Sequence, residues 1–182
     1  MEGDIVKDPE KIKLLDHIYK FDSLYRGKYL IMSNWVEDTI GGLISEHFIP
    51  KDKNKRDLLY SLILINIPFN SKIRIFLQIL ERSYPSLNDK HSSLKQDLER
   101  IRNLRNRFAH SVLDTSDEFL EKKQYDRINL EFHKDGERKF HEITQKYIDG
   151  EISFVGRVIE SSLLAISIEM KKILGISLDE KR

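Results

Sequence analysis

The chain has 182 residues, long enough for one domain with a substantial core and too short for two of ordinary size, so a single domain over 1–182 is expected. With 31 basic against 30 acidic side chains it is not globally polycationic, and any attraction to nucleic acid has to be local. The absence of cysteine excludes disulfides, thiolate nucleophiles and cysteine-ligated zinc, and fits a reducing cytoplasm.

Residues 1–9 read as a flexible tail. Met1 to Lys13 carry charges throughout without an apolar core, and no later apolar run reaches a bilayer span, so neither targeting nor membrane association is expected. Asp8-Pro9 suits the N-cap and first turn of a helix through Lys20, with Ile12, Leu15, Ile18 and Tyr19 as its apolar stripe. A longer helix should begin at Asp22 or Ser23. Tyr25, Tyr29, Met32, Val36, Ile40 and Leu43 follow at three- and four-residue spacing, and Trp35, Ile44 and Phe48 widen the face expected to be buried. Gly41-Gly42 weakens this helix and points to close approach of a neighbour rather than to a stop.

Pro50 and the run Lys51 to Arg56 form a solvated connection. Leu58 to Ile67 is apolar on nearly every side, which predicts a short buried helix or a buried strand, ended by Pro68. Asn70-Ser71 caps a helix through Arg82, with Ile73, Phe76, Leu77 and Leu80 inward and Ile75 and Ile79 on a second face. Pro85 to Asn88 reads as a turn, and the next helix begins near Ser92.

After Ser111 the helical pattern stops and Leu113 to Glu118 reads as loop. Ile128, Leu130 and Phe132 then alternate with Arg127, Asn129, Glu131 and His133, and Asp135-Gly136 follows as a hairpin turn. A small β-hairpin over about 127–143, inserted between helices, is the expectation. His133 and His141 flank its turn as candidate cross-strand neighbours, but without carboxylate geometry they suit surface positions better than metal ligation. Ile152, Val155, Ile159, Ile166, Met170 and Ile173 define one long helix that ends at Gly175.

The stretch from Leu94 to Ser111 carries the chemistry. At about 100° per residue, Leu94, Leu98, Ile101, Leu104, Phe108 and Val112 fall on one apolar stripe, and Arg105 falls inside it. A guanidinium facing a core needs a partner, so Arg105 is expected at a seam: against a carboxylate, a second subunit or the edge of a cleft. Asn106 and His110, four apart, lie on one face. Lys95, Arg100, Arg102 and Arg107, with Arg105, outnumber Asp97 and Glu99, a local excess of positive charge able to contact RNA phosphates, although such a face is more often merely solvated.

Arg105-Asn106-Arg107-Phe108-Ala109-His110, followed by Ser111, resembles the signature of the HEPN superfamily: an arginine, usually a polar residue, and a histidine after a short gap, at a helix end. The resemblance covers residues 20 to 175 as architecture. It implies a mainly α fold, an antiparallel helical bundle, with the hairpin as an insertion. The Ser-Lys-Ile start at Ser71 also resembles the mannitol-repressor-like branch. For activity, the resemblance implies a metal-independent endoribonuclease or RNA-binding protein with no cofactor, in a toxin or stress-response setting. Its catalytic residues would be Arg105 on the phosphate, Asn106 orienting, and His110 in proton transfer. Arginine's planar fork matches phosphate oxygens, and histidine titrates near neutrality. Because Arg105 and His110 project about 140° apart on an ideal helix, the resemblance implies a composite site shared across a homodimer. The alternative is a non-enzymatic regulator or interaction module. Single-stranded RNA and an antitoxin or regulatory protein are the partners implied.

Overall fold

A computed structural model describes residues 8–134 and 136–176, the side chain of Lys134 apart. The fold is mainly α with one small antiparallel sheet. Among the described residues the contacts group into two compact units, 8–31 with 105–152, and 32–104 with 153–176.

The N-terminal helices expected as two are one, α1 (Pro9–Phe48, 40 residues), with Asp8 accepting from the Glu10 N–H at 3.0 Å. No helix breaker occupies the expected junction. Phe21 and Asp22 are buried there, and Asp22 accepts from Arg26 one turn on, so the residue read as a cap is an interior ion-pair partner. The buried face keeps most of the expected stripe but is narrower, and in the first turns it is shifted onto Leu14 and Phe21. Leu14, Ile18, Phe21, Tyr29, Val36, Ile40 and Leu43 are buried, whereas Ile12, Tyr19, Trp35 and Phe48 are about half exposed or more, so Trp35 is not a core residue.

In the first unit α1 is joined by the end of α5 (Leu94–His110), β1 (Val112–Leu113), α6 (Asp117–Leu120), β2 (Arg127–Lys134), β3 (Glu137–Thr144) and the start of α7 (Gln145–Arg157). The expected hairpin is present. Ile128 pairs with Ile143 and Leu130 with His141, and Gly136 has φ of +79° at the turn; Asp135 lies outside the described residues, as do residues 1–7 of the expected tail. The stretch expected as loop supplies two elements, since Leu113 pairs with Leu130 as a third strand and Ser116 caps α6. His133 pairs with Arg138, so the two hairpin histidines are not cross-strand neighbours. Along one hairpin face Ile128, Leu130 and Ile143 are buried.

The second unit holds the rest of α1 with α2 (Lys53–Leu62), a 3-10 turn (Leu64–Asn66), α3 (Phe69–Ser83), α4 (Pro85–Lys90), most of α5, a π-helical turn (Val158–Leu163) and α8 (Leu164–Leu174). Residues 58–67 are helical but not buried. Only Leu64 is fully buried and Leu59, Tyr60 and Ile67 are half-buried, while Leu58, Leu62, Ile63 and Ile65 are more than half exposed. α3 starts at Phe69 after Pro68, so Asn70-Ser71 lies inside its first turn rather than capping it; Ile73, Phe76, Ile79 and Leu80 are buried as expected, whereas Leu77 and Ile75 are half-buried. The turn expected at Pro85 is a short helix, because proline fits the first helical position. Gly41 approaches Tyr60 so closely that a Cβ there would sit 2.8 Å from the ring, the close contact its sequence context implied. Lys72, nearly fully buried, is neutralised by Glu37 at 2.7 Å. The C-terminal helical run starts at Gln145, directly after β3, and ends at Gly175 with φ of +67°. Among the described residues no helix is long and apolar enough to cross a membrane.

Candidate functional site

The end of α5 is fixed by three sets of contacts. Phe108 is buried edge-on against Tyr29, with ring centroids 5.1 Å apart. Ser111 closes the last turn, its N–H donating to the Arg107 carbonyl at 3.0 Å and its hydroxyl at 2.5 Å. Arg26 reaches from α1 and donates to the carbonyl oxygens of Ser111 (2.9 Å) and Phe108 (3.4 Å), while Asp22 accepts from the same guanidinium at 2.5 Å. A cation on the unsatisfied carbonyls of a helix C-terminus is favourable for the dipole as well as for hydrogen bonding. Burial raises the Asp22 carboxyl above the ordinary carboxylate range, and the charge and hydrogen bond of Arg26 offset only part of that.

On this anchored end Arg105 is half-buried and donates to Asn106 Oδ1 at 3.4 Å, a weak bond by its length. Asn106 and His110 are exposed. His110 has no hydrogen-bond or ion-pair partner among the described residues, which leaves its imidazole open to solvent and to a ligand. The apolar stripe beside Arg105 needs no second subunit to cover it: Leu94, Leu98, Ile101 and Phe108 are almost fully buried and Leu104 nearly so. Val112, expected on that stripe, instead opens β1 and is 67% exposed.

The other basic residues do not form one strip. Lys95 and Arg102 line a groove of 560 Å³ with Asn70, Arg74, Glu81, Asp89 and Glu99, where cations and carboxylates balance. Arg102 is held there by Asn70 and by Asn103 at 2.8 Å. Arg100 lies over the Phe154 ring, 4.2 Å from its centroid. Arg107 turns to the hairpin.

Arg107 meets a group that residue spacing alone did not single out. Its Nη1 donates to His141 Nδ1 at 3.0 Å, and its guanidinium stands 5.5 Å from the centroid of Phe132. Tyr147 meets His141 edge-on at 5.5 Å. Burial, then the neighbouring Arg107 charge, push the His141 pKa down, against a smaller opposing pull from Glu151. The hairpin's period of two carried the signal, because Leu130, Phe132 and His141 share one face once Leu130 is paired with His141. No family model matches the chain, and no curated protein or solved structure matches it at a significant level.

Proposed function

We propose that the chain is a metal-independent endoribonuclease of the HEPN type, acting in the cytoplasm on single-stranded RNA as a homodimer whose site combines Arg105, Asn106 and His110 of two copies. The observation that carries this reading is His110, an exposed imidazole without a protein partner among the described residues, on a helix end held by Arg26. One His110 takes the proton from the ribose 2′-hydroxyl as its oxygen attacks the adjacent phosphorus. Arg105 stabilises the added negative charge on the pentavalent phosphate, and Asn106 orients the guanidinium that donates to it. The partner's copy of the same histidine gives a proton to the departing 5′-oxygen. The products are a 2′,3′-cyclic phosphate and a 5′-hydroxyl, and the reaction needs no cofactor.

The test is cleavage of single-stranded RNA by pure protein in excess EDTA. Cleavage should persist there, leave cyclic phosphate ends, and fail on RNA with a 2′-O-methyl group at the scissile position. His110→Ala should abolish it without loss of fold, since an exposed side chain contributes little packing. Arg105→Ala should abolish it at some cost in stability. Activity that survives His110→Ala, or that appears only with magnesium, sinks the proposal. A second reading, a regulator or interaction module bound to a protein such as an antitoxin, is favoured by one observation: Leu58, Leu62, Ile63 and Ile65 expose apolar side chains along a single short stretch.

A further inference from the structure

Arg107 lies three residues before His110, so the two side chains leave the helix on the same side, about 60° apart. Two other partly buried arginines of this unit face carboxylates: Arg26 faces Asp22, and Arg127 faces Asp126 and Glu142. Arg107 faces none among the described residues. It is held instead by the imidazole of His141 and the ring of Phe132. Because His141 Nδ1 accepts from Arg107, that nitrogen carries the lone pair and the ring proton sits on Nε2. The neutral ring is the form that its lowered pKa favours. At the Arg107–His141 contact the groups left over are donors, the remaining N–H groups of Arg107 and the Nε2–H of His141, while the carboxylate whose charge acts on His141, Glu151, is buried and makes no ion pair with Arg107. Beside them stand the partly exposed rings of Phe132 and Tyr147. A positioned guanidinium without a counter-ion suits a phosphate, and aromatic rings at its side suit a base.

We propose that Arg107, Phe132 and His141 form a nucleotide-binding subsite, which takes the phosphodiester and base next to the bond on which His110 acts. Arg107 and His141 hold the phosphate by donation, and Phe132 offers a ring for stacking. This assignment rests on the ribonuclease reading of His110, and its test separates the two.

The probe is a short, fluorescently labelled 2′-O-methyl RNA, which binds without being cut. Its affinity is read by anisotropy over a range of salt, and the imidazole signals of His110 and His141 are followed by NMR in the unaltered protein. Oligonucleotide binding should perturb His141 and Phe132. Arg107→Gln should weaken it about tenfold or more and reduce the salt slope by about one. Phe132→Leu, which keeps the packing and removes the aromatic face, should weaken it about fivefold or more. The NMR arm keeps the assignment testable if Arg107→Gln does not fold. Binding that perturbs His141, with no cleavage of unmodified RNA, supports the subsite and removes the nuclease. Cleavage that depends on His110 while His141 and Phe132 stay unperturbed removes the subsite and leaves the nuclease. Inorganic phosphate that perturbs His141 as strongly as the oligonucleotide does overturns a nucleotide subsite in favour of a simple anion site. No binding of the oligonucleotide overturns the assignment.

Discussion

Arg26→Met tests how the helix end that carries His110 is held. The guanidinium lies between Asp22 and the carbonyl oxygens of Phe108 and Ser111, with 23% of the Arg26 side chain exposed and 9% of the Asp22 side chain. Methionine keeps much of the stem's packing and its helix propensity, so the loss is mainly electrostatic. Removing one member of a buried ion pair costs about 3–5 kcal/mol. Asp22 can escape part of this by binding a proton, and water can reach a partly exposed helix end, so about 2–3 kcal/mol is expected near pH 7. The pH dependence has a definite sign. Burial raises the folded-state pKa of Asp22, so this group's contribution is fully present below its unfolded value and is lost as pH rises through the folded one. Without Arg26 the folded pKa rises further, and the penalty should shrink as the solution is acidified. Urea melts of parent and variant at about pH 7 and about pH 5 measure both terms. A loss below about 0.5 kcal/mol, or one that grows on acidification, refutes this account. Asp22→Asn combined with Arg26→Met should lie closer to the parent than Arg26→Met alone, because no buried charge is then stranded.

Gly136→Val should destabilise the hairpin by about 1–2 kcal/mol, since a β-branched residue resists the +79° φ of that turn; unchanged thermal unfolding would count against it. Two helical glycines should respond with opposite signs. Gly41→Ala drives a Cβ into a Tyr60 ring that is tethered to Asp38 at 2.8 Å and should lower the melting temperature, whereas Gly156→Ala meets only ordinary contact with Met32 at 3.8 Å and should gain about 0.5–1 kcal/mol. Glu37→Ala should cost about 3–5 kcal/mol in denaturant melts by stranding the Lys72 ammonium, and Lys72→Met in the same chain should recover much of that loss. His141 should titrate below the ordinary histidine range by NMR, and Arg107→Met should raise it only part of the way, because burial is the larger cause. Its folded form then loses stability as pH falls through that lowered value.

The hairpin and the α5 stripe are legible in the sequence because each repeats one period with no competing reading. Ile128, Leu130 and Phe132 alternate up to a glycine at the turn, and Leu94, Leu98, Ile101, Leu104 and Phe108 recur at helical spacing. The continuity of α1 is not, since Asp22-Ser23 has the composition of an N-cap, and only the buried pairing of Asp22 with Arg26 shows it to be helix interior. Residues 58–67 mislead for a different reason. An all-round apolar composition says that the segment has surfaces to bury, not that the chain covers them, and here it fully buries only Leu64. In the candidate site, Arg105, Asn106 and His110 can be read from local spacing. His141 cannot, because its nearness to Arg107 depends on hairpin register and on where the hairpin packs, both set by residues distant in sequence.

A composite site needs a second copy near His110, and the covering of the α5 stripe constrains how that copy is held. With Leu98, Ile101 and Phe108 buried in the chain itself, α5 offers a partner polar and charged groups rather than an apolar seam. A stable interface usually buries about 1,600 Å² around an apolar core, whereas contacts among exposed charges are weak and screened by salt. If the two copies meet at this helix end, the dimer should therefore dissociate at roughly micromolar concentration and more readily as salt is raised. RNA cleavage per mole of chain should fall with it, because each monomer keeps one histidine and loses the other. Sedimentation velocity and initial cleavage rates, measured on the same dilution series at low and moderate salt, compare the two curves directly. Coincident midpoints support a shared site. Specific activity that stays constant down to concentrations where only monomer sediments would show that one chain suffices, and would shift the second proton transfer to a group on the same chain.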